Sequence, residues 1–325
     1  MSSSIYFSAE VFLKIGMSML NRPPNKSTGK FSADDIDHFK ATFGTTPIIV
    51  SVACDLMREH TNMSNKIKPH QILWGLALLK LYNTEKVLCD HIGARDAKNF
   101  RLWAWKVVGW IADLEPYVVR STILLSFLIY HVLLRNTLNR DMRSSSTQID
   151  MLWEDRHNGV PPGEKSTCVD GTDCPTQEPS PFSSRHFSHK FNSAGFRYQV
   201  TTSRKGDLID VDGPHRPGCK YGSEKAIFER GVMSYLDDGE ECEGDKYYRK
   251  QIKDIFTGYL SNEERKFAAR FRARHESLNG RLKRFQILTT KFRAKPAFQK
   301  HSMAFRAIAV LCQLEIETSS SLFEL

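Results

Sequence analysis

The chain has 325 residues, of which 41% are hydrophobic and 26% charged, with a formal net charge of +9 and a pI of about 9.1. This balance excludes a disordered or fibrous chain and leaves room for two compact domains of ordinary size. The basic excess favours a polyanionic partner, and seven scattered Cys residues, an odd number, point to a reducing compartment more than to a disulfide framework.

Residues 1–31 are mixed in character. Met1–Tyr6 carries no basic region ahead of an apolar stretch, so no secretory signal is expected, and the Pro- and Gly-containing segment Arg22–Lys30 reads as a polar linker. Poor order is expected there. From Ser32 the pattern turns helical. Ser32 precedes Asp34 and Asp35 as an N-cap with first-turn acids, Ile36, Phe39 and Phe43 follow at helical spacing, and Gly44 ends the run. Pro47 opens a second helix with Ile49, Val52 and Leu56 on its apolar side. A third runs from about Pro69 to Tyr82, Thr84 caps a short fourth, and Asp96 caps a longer fifth through Leu114.

Two short helices around a tight turn and a longer helix after them are compatible with a helix-turn-helix unit over residues 32–120. A plain helical bundle is the commoner arrangement for such a pattern. The aromatic residues Phe100, Trp103 and Trp110 read better as core than as a surface for bases.

Residues 121–165 read as an insertion and linker. The apolar run Ile123–Leu134 is shorter than the roughly 20 residues a membrane span needs and includes His131, so no membrane association is expected. Residues 121–147 are either a lineage insertion or translated intron sequence.

The periodicity changes at Ser166. Ser166–Asp170 reads as a strand ending at a polar turn; Phe187–Phe191, Phe196–Thr202 and Asp207–Asp212 are strand-like. Ser223–Leu236 is helical, Glu241–Asp245 is a short strand, Glu263–Leu288 is a basic helix or helix pair, and a last helix begins near His301. This order predicts an α/β sheet layer with flanking helices over residues 166–317, followed by a tail, 318–325.

Three acids in this region stand out. Asp170 and Asp245 close strand-like runs beside Gly171 and Gly244, and Glu276 is the single acid between Arg265 and Arg293. Three carboxylates from separate segments supply the hard oxygen donors that Mg²⁺ or Mn²⁺ prefers, and a pair of such ions suits phosphodiester chemistry. Each acid alone is more simply a solvated charge, and Glu276 could pair with Lys283 or Arg272. The cations around it, Arg272, Arg281, Lys283 and Arg284, are candidate phosphate contacts. Cys168, Cys174, His186 and His189 match no compact structural zinc spacing.

The surrounding segments resemble the Harbinger-type DDE transposases. The similarity runs through Val169–Pro179, Phe187–Phe191, Gly195–Tyr198, Gly213–Gly218, Glu243–Tyr248 and Arg274–Leu288, and Leu73–Leu114 resembles the family's helix-turn-helix region. The resemblance implies an RNase H-like catalytic domain with a mixed sheet, preceded by the all-α region. It implies Asp170, Asp245 and Glu276 as the metal-binding catalytic triad. It further implies cleavage and joining of DNA at transposon ends, in the nucleus, often with a separate Myb-like DNA-binding partner; the sequence leaves the oligomeric state, a homo-oligomer included, open. The chain departs from the family pattern at Cys219–Glu224, Gln199, Asp210 and Tyr247, which leaves open a catalytically decayed, transposase-derived DNA-binding protein. A protein-interaction module is a third reading.

Overall fold

A computed structural model describes residues 7–25, 29–119, 155–157, 160, 165–237, 240, 242–244 and 261–319. Asp245, Tyr247, residues 320–325 and nearly all of the 121–165 segment lie outside the described residues.

The N-terminal segment differs from the sequence expectation. Helix α1 occupies Ala9–Met19; the Ser8 hydroxyl accepts the Val11 N–H at 3.4 Å, and Phe12 and Met17 are fully buried. The buried Phe12 and Met17, with Gly16 between them against the Phe39 ring, order this stretch despite its mixed composition. Helix α2, Ala33–Phe43, starts at a reciprocal capping box between Ser32 and Asp35. It ends at Gly44, whose φ of 82° no branched side chain adopts without strain, and where a Cβ would lie 2.3 Å from the Phe285 ring.

Helices α3 (Pro47–His60) and α4 (Pro69–Leu81) each begin at a proline. Thr84 caps α5 (Glu85–Ile92) and Asp96 caps α6 (Ala97–Ala112), as their side-chain chemistry predicts; α7 is the single turn Glu115–Val118. Phe100 is fully buried, whereas Trp103 and Trp110 are partly buried with ring centroids 6.5 Å apart. No described helix is long and apolar enough to cross a membrane.

The sheet is mixed. Strand β1 is Thr167–Pro175, β2 Phe187–Ser188, β3 Ser193–Ser203, β4 Leu208–His215 and β5 Cys242–Glu243. β3 pairs antiparallel with β1 along one edge and with β2 and β4 along the other; β5 joins β1 in parallel. β1 does not stop at Asp170. Thr172 and Cys174 are buried and carry the pairing on to Pro175, opposite Gly195. Helix α8, Glu224–Arg230, ends at Gly231, and a 3₁₀ turn over Val232–Tyr235 takes up the rest of the predicted helix. Helices α9 (Asn262–Lys283) and α10 (Ala297–Ser319) complete the order of elements.

One apolar core joins the N-terminal helices to the sheet. It includes Leu76 of α4, Val107 of α6, Tyr198 of β3, Leu278 of α9 and Leu311 of α10. Tyr198 stacks on Phe305 of α10 with ring centroids 3.8 Å apart. The boundary drawn near residue 120 is therefore not a break in packing. A smaller cluster, Val169, Phe228, Val232 and Cys242, seats α8 on the opposite face of the sheet.

Near the end of α10 the Glu317 carboxylate accepts the Gln313 side-chain N–H at 2.7 Å, and burial pushes its pKa up to about 8. The folded state thus holds a proton that the unfolded chain releases above its ordinary value of 4.5. The stability gained is complete below that value and is lost as pH rises through about 8. Glu317→Gln should raise the melting temperature by several degrees at pH 8.5 and leave it nearly unchanged at pH 4. Equal shifts at both pH values would show that Glu317 is not protonated in the folded protein.

Candidate active site

Asp170 lies mid-way along β1, opposite Val200 of β3, with its side chain on the sheet face covered by α9. One carboxylate oxygen accepts the Gly171 N–H at 2.8 Å, and the other accepts the Asn279 side-chain N–H at 3.1 Å. Gly171 is required by its surroundings: a Cβ there would stand 2.6 Å from a carboxylate oxygen of Glu224, the first residue of α8. The Gly171 carbonyl accepts Lys190 Nζ at 2.9 Å. Asp170 is half-buried, a setting from which a carboxylate can still reach a ligand.

The next acid on β1, Asp173, has a different task. It is buried, and its oxygens accept Arg197 Nε at 2.6 Å, Arg197 Nη2 at 2.9 Å and Ser188 Oγ at 2.5 Å. This forked ion pair ties β1 to β3.

β5 runs parallel to β1, with Cys168 opposite Glu243. Glu243 is fully buried; its carboxylate accepts Lys165 Nζ on one oxygen and Arg272 Nη1, at 3.2 Å, on the other. Sequence reasoning passed over Glu243 in favour of Asp245 two residues on. An acid flanked by Cys242 and Gly244 carried no hint of its two cationic partners.

α9 packs on β1 and β5 through one face, with Phe271, His275, Leu278 and Leu282 buried. The His275 ring nitrogen Nδ1 lies 3.4 Å from the Thr202 hydroxyl, and burial pushes the imidazole pKa down to about 4, so it is neutral at ordinary pH. Arg272, Glu276 and Asn279 follow one another at helical spacing along one stripe. Arg272 reaches Glu243 on β5 and Asn279 reaches Asp170 on β1. Glu276, exposed, lies between Arg272 and Asn279 along the helix. Asn279 was missed in the sequence, where its signal was only its place three residues after Glu276.

The cations of α9 divide. Arg272 is held by Glu243, and Arg284 donates to Glu315 of α10 while its carbonyl accepts Lys80 Nζ at 2.9 Å. Lys283 is exposed in the last turn, and Arg281 is half-buried.

Cys168 and Cys174 are fully buried, burial pushes the Cys174 thiol up to about 12, and neither belongs to a group of potential metal ligands among the described residues. Among the described residues, a group that could hold a metal ion is His157, Asp237 and Glu240, whose ligand atoms lie within 4.8 Å of one another. Arg156 already balances the charge of this group: its guanidinium donates to Glu240 at 2.9 and 2.7 Å and to Asp237 at 3.0 Å. An ion would have to compete with that guanidinium. At Asp170 the donors on the page are one carboxylate and the neighbouring Asn279 amide, hard oxygens of the kind Mg²⁺ or Mn²⁺ prefers, and the buried Asn279 Oδ1 has no hydrogen-bond partner among the described residues.

Residues 169–314 match the family of DDE superfamily endonucleases, a stretch that contains Asp170, Asp245 and Glu276. No curated protein and no solved structure matches the chain. The match supports a transposase-like nuclease with DNA as its substrate, in a family that typically uses divalent metals.

Proposed function

We propose that this chain is a Harbinger-type DDE transposase with an RNase H-like catalytic domain, and that it cleaves and joins phosphodiester bonds at transposon ends in the nucleus. The observation that carries the reading is Asp170. A half-buried carboxylate that accepts a backbone and a side-chain N–H, under the helix that bears Glu276, is fixed in orientation. The parallel register supports adding Asp245: it follows Glu243 by two residues as Asp170 follows Cys168, and Cys168 and Glu243 are paired.

In this reading Asp170, Asp245 and Glu276 hold a divalent ion pair, which supplies charge compensation to the attacking and leaving oxygens. The chain's own residues set the frame. Gly171 and Asn279 orient Asp170, and the Glu243–Arg272 pair links β5 to α9, the two elements that carry or precede the other acids. Water attacks phosphorus in the cleavage step and the 3′-oxygen leaves; in joining, a 3′-hydroxyl attacks and the target strand's 3′-oxygen leaves. The α4–α5–α6 region serves as the helix-turn-helix unit, a Myb-like protein delivers the ends, and a homo-oligomer pairs them.

The test is a cleavage assay with Mg²⁺ or Mn²⁺ on the terminal repeats that flank the gene, with the Myb-like partner supplied. Cleavage at the repeat ends is expected. DNA binding without cleavage would instead assign the chain to the decayed, DNA-binding class.

Phosphate contact falls first to Lys283, exposed in the last turn of α9. Lys283→Ala should weaken binding to unrelated duplexes several-fold and reduce the salt slope by about 1, with no change in melting temperature. Arg284→Ala should lower the melting temperature, because it removes the guanidinium from the buried Glu315 carboxylate, which also accepts the neutral Thr45 hydroxyl at 3.0 Å. An unchanged salt slope for the Lys283 variant would remove that residue from the DNA surface.

A further inference from the structure

We infer that Asn279 is a positioning residue for the metal-binding carboxylate of Asp170, an inference that rests on the reading of Asp170 as a metal ligand. A carboxylate only accepts, so the amide must turn its NH₂ group toward Asp170, 3.1 Å away. That choice fixes the rest of the side chain. The Oδ1 atom is left buried, with no donor among the described residues. Buried acceptors usually find a donor, so this oxygen has capacity for one more hydrogen bond. Mg²⁺ and Mn²⁺ keep part of their water shell when bound, and such water is an O–H donor. Asn279 thus has one donor for the carboxylate and one acceptor for the hydrated ion.

The surrounding groups favour this role over a local helix contact. Asn279 lies on the same stripe as Glu276, the exposed acid, and Arg272, whose guanidinium is already occupied by Glu243. The second oxygen of Asp170 is fixed by the Gly171 N–H at 2.8 Å. With both oxygens so oriented, the carboxylate cannot rotate without breaking one of these bonds. Partners of this kind raise metal affinity by lowering the cost of ordering the ligand, and losing one typically weakens binding 10–100-fold.

The experiment is a calorimetric Mn²⁺ titration of the full chain without DNA, together with melting curves at zero and saturating Mn²⁺. Asn279→Ala should weaken Mn²⁺ binding by about 10–100-fold and shrink the Mn²⁺-induced rise in melting temperature. Asn279→Asp places a second carboxylate against Asp170. It should lower the melting temperature without metal and enlarge the rise with Mn²⁺, a pattern that a structural role would not produce. It also serves if the alanine variant does not fold. Asp170→Asn is the reference. If Asp170→Asn abolishes Mn²⁺ binding and both Asn279 variants bind as wild type, the positioning role is overturned while the proposed active site stands. If Asp170→Asn binds Mn²⁺ as wild type does, the metal reading of Asp170 fails and the role of Asn279 fails with it.

Discussion

Asp170→Asn is expected to give a folded protein whose Mg²⁺-dependent cleavage has fallen by roughly 10³-fold or more, the scale on which several kcal/mol of charge stabilisation acts. The two halves of this result have separate causes. The fold survives because the substitution keeps size and shape at a half-buried position, and the new amide can still accept the Gly171 N–H. What it loses in structure is one charge-assisted hydrogen bond from Asn279, worth roughly 1.5–3 kcal/mol, which a domain with a continuous core tolerates. Activity does not survive, because a neutral amide is a poor ligand for a hard divalent ion and no described carboxylate on β1 can replace it. Asp173, the other acid of that strand, is committed to Arg197 on the far face. The measurement pairs a cleavage assay with a melting curve, after wild-type cleavage has been established. Retained cleavage in a folded Asp170→Asn protein would remove Asp170 from the chemistry.

What could be read from the sequence was set by the range of the interactions involved. Capped helices were legible because their signals are local. Ser32, Thr84 and Asp96 each hydrogen-bond to backbone within three residues, and the caps stand where their chemistry puts them. The length of β1 was not legible. Gly171, Asp173 and Pro175 read as a turn, and only pairing with β3, a partner some 25 residues away in sequence, makes them a strand. Helix α1 was missed because its order comes from burial against later helices and not from its own composition. Asp170 and Glu276 were singled out as candidates through the residues around them. Their supports were hidden: Asn279 is one polar residue on a basic helix, and Glu243 has partners that lie 78 and 29 residues away in the chain.

Glu243 carries the largest expected effect on stability. Its side chain is fully buried and holds two cations, Lys165 with a side chain 10% exposed and Arg272 with one 36% exposed. Removing one member of a buried ion pair leaves the other charge desolvated and uncompensated, which typically costs about 3–5 kcal/mol. Glu243→Leu should therefore lower the urea midpoint by that equivalent. Arg272→Ala should cost much less, since Lys165 remains on the carboxylate and Arg272 is itself partly solvated. The double variant Glu243→Leu with Lys165→Met should recover most of the lost stability, because matched apolar groups can replace a buried pair at little cost. Cleavage should not recover with it. Arg272 would still lack the carboxylate that ties α9 to β5, and with that tie gone the helix bearing Glu276 and the strand leading to Asp245 lose their common register. A double variant that regains both stability and cleavage would show that packing alone, without the Glu243–Arg272 bond, holds the two elements together.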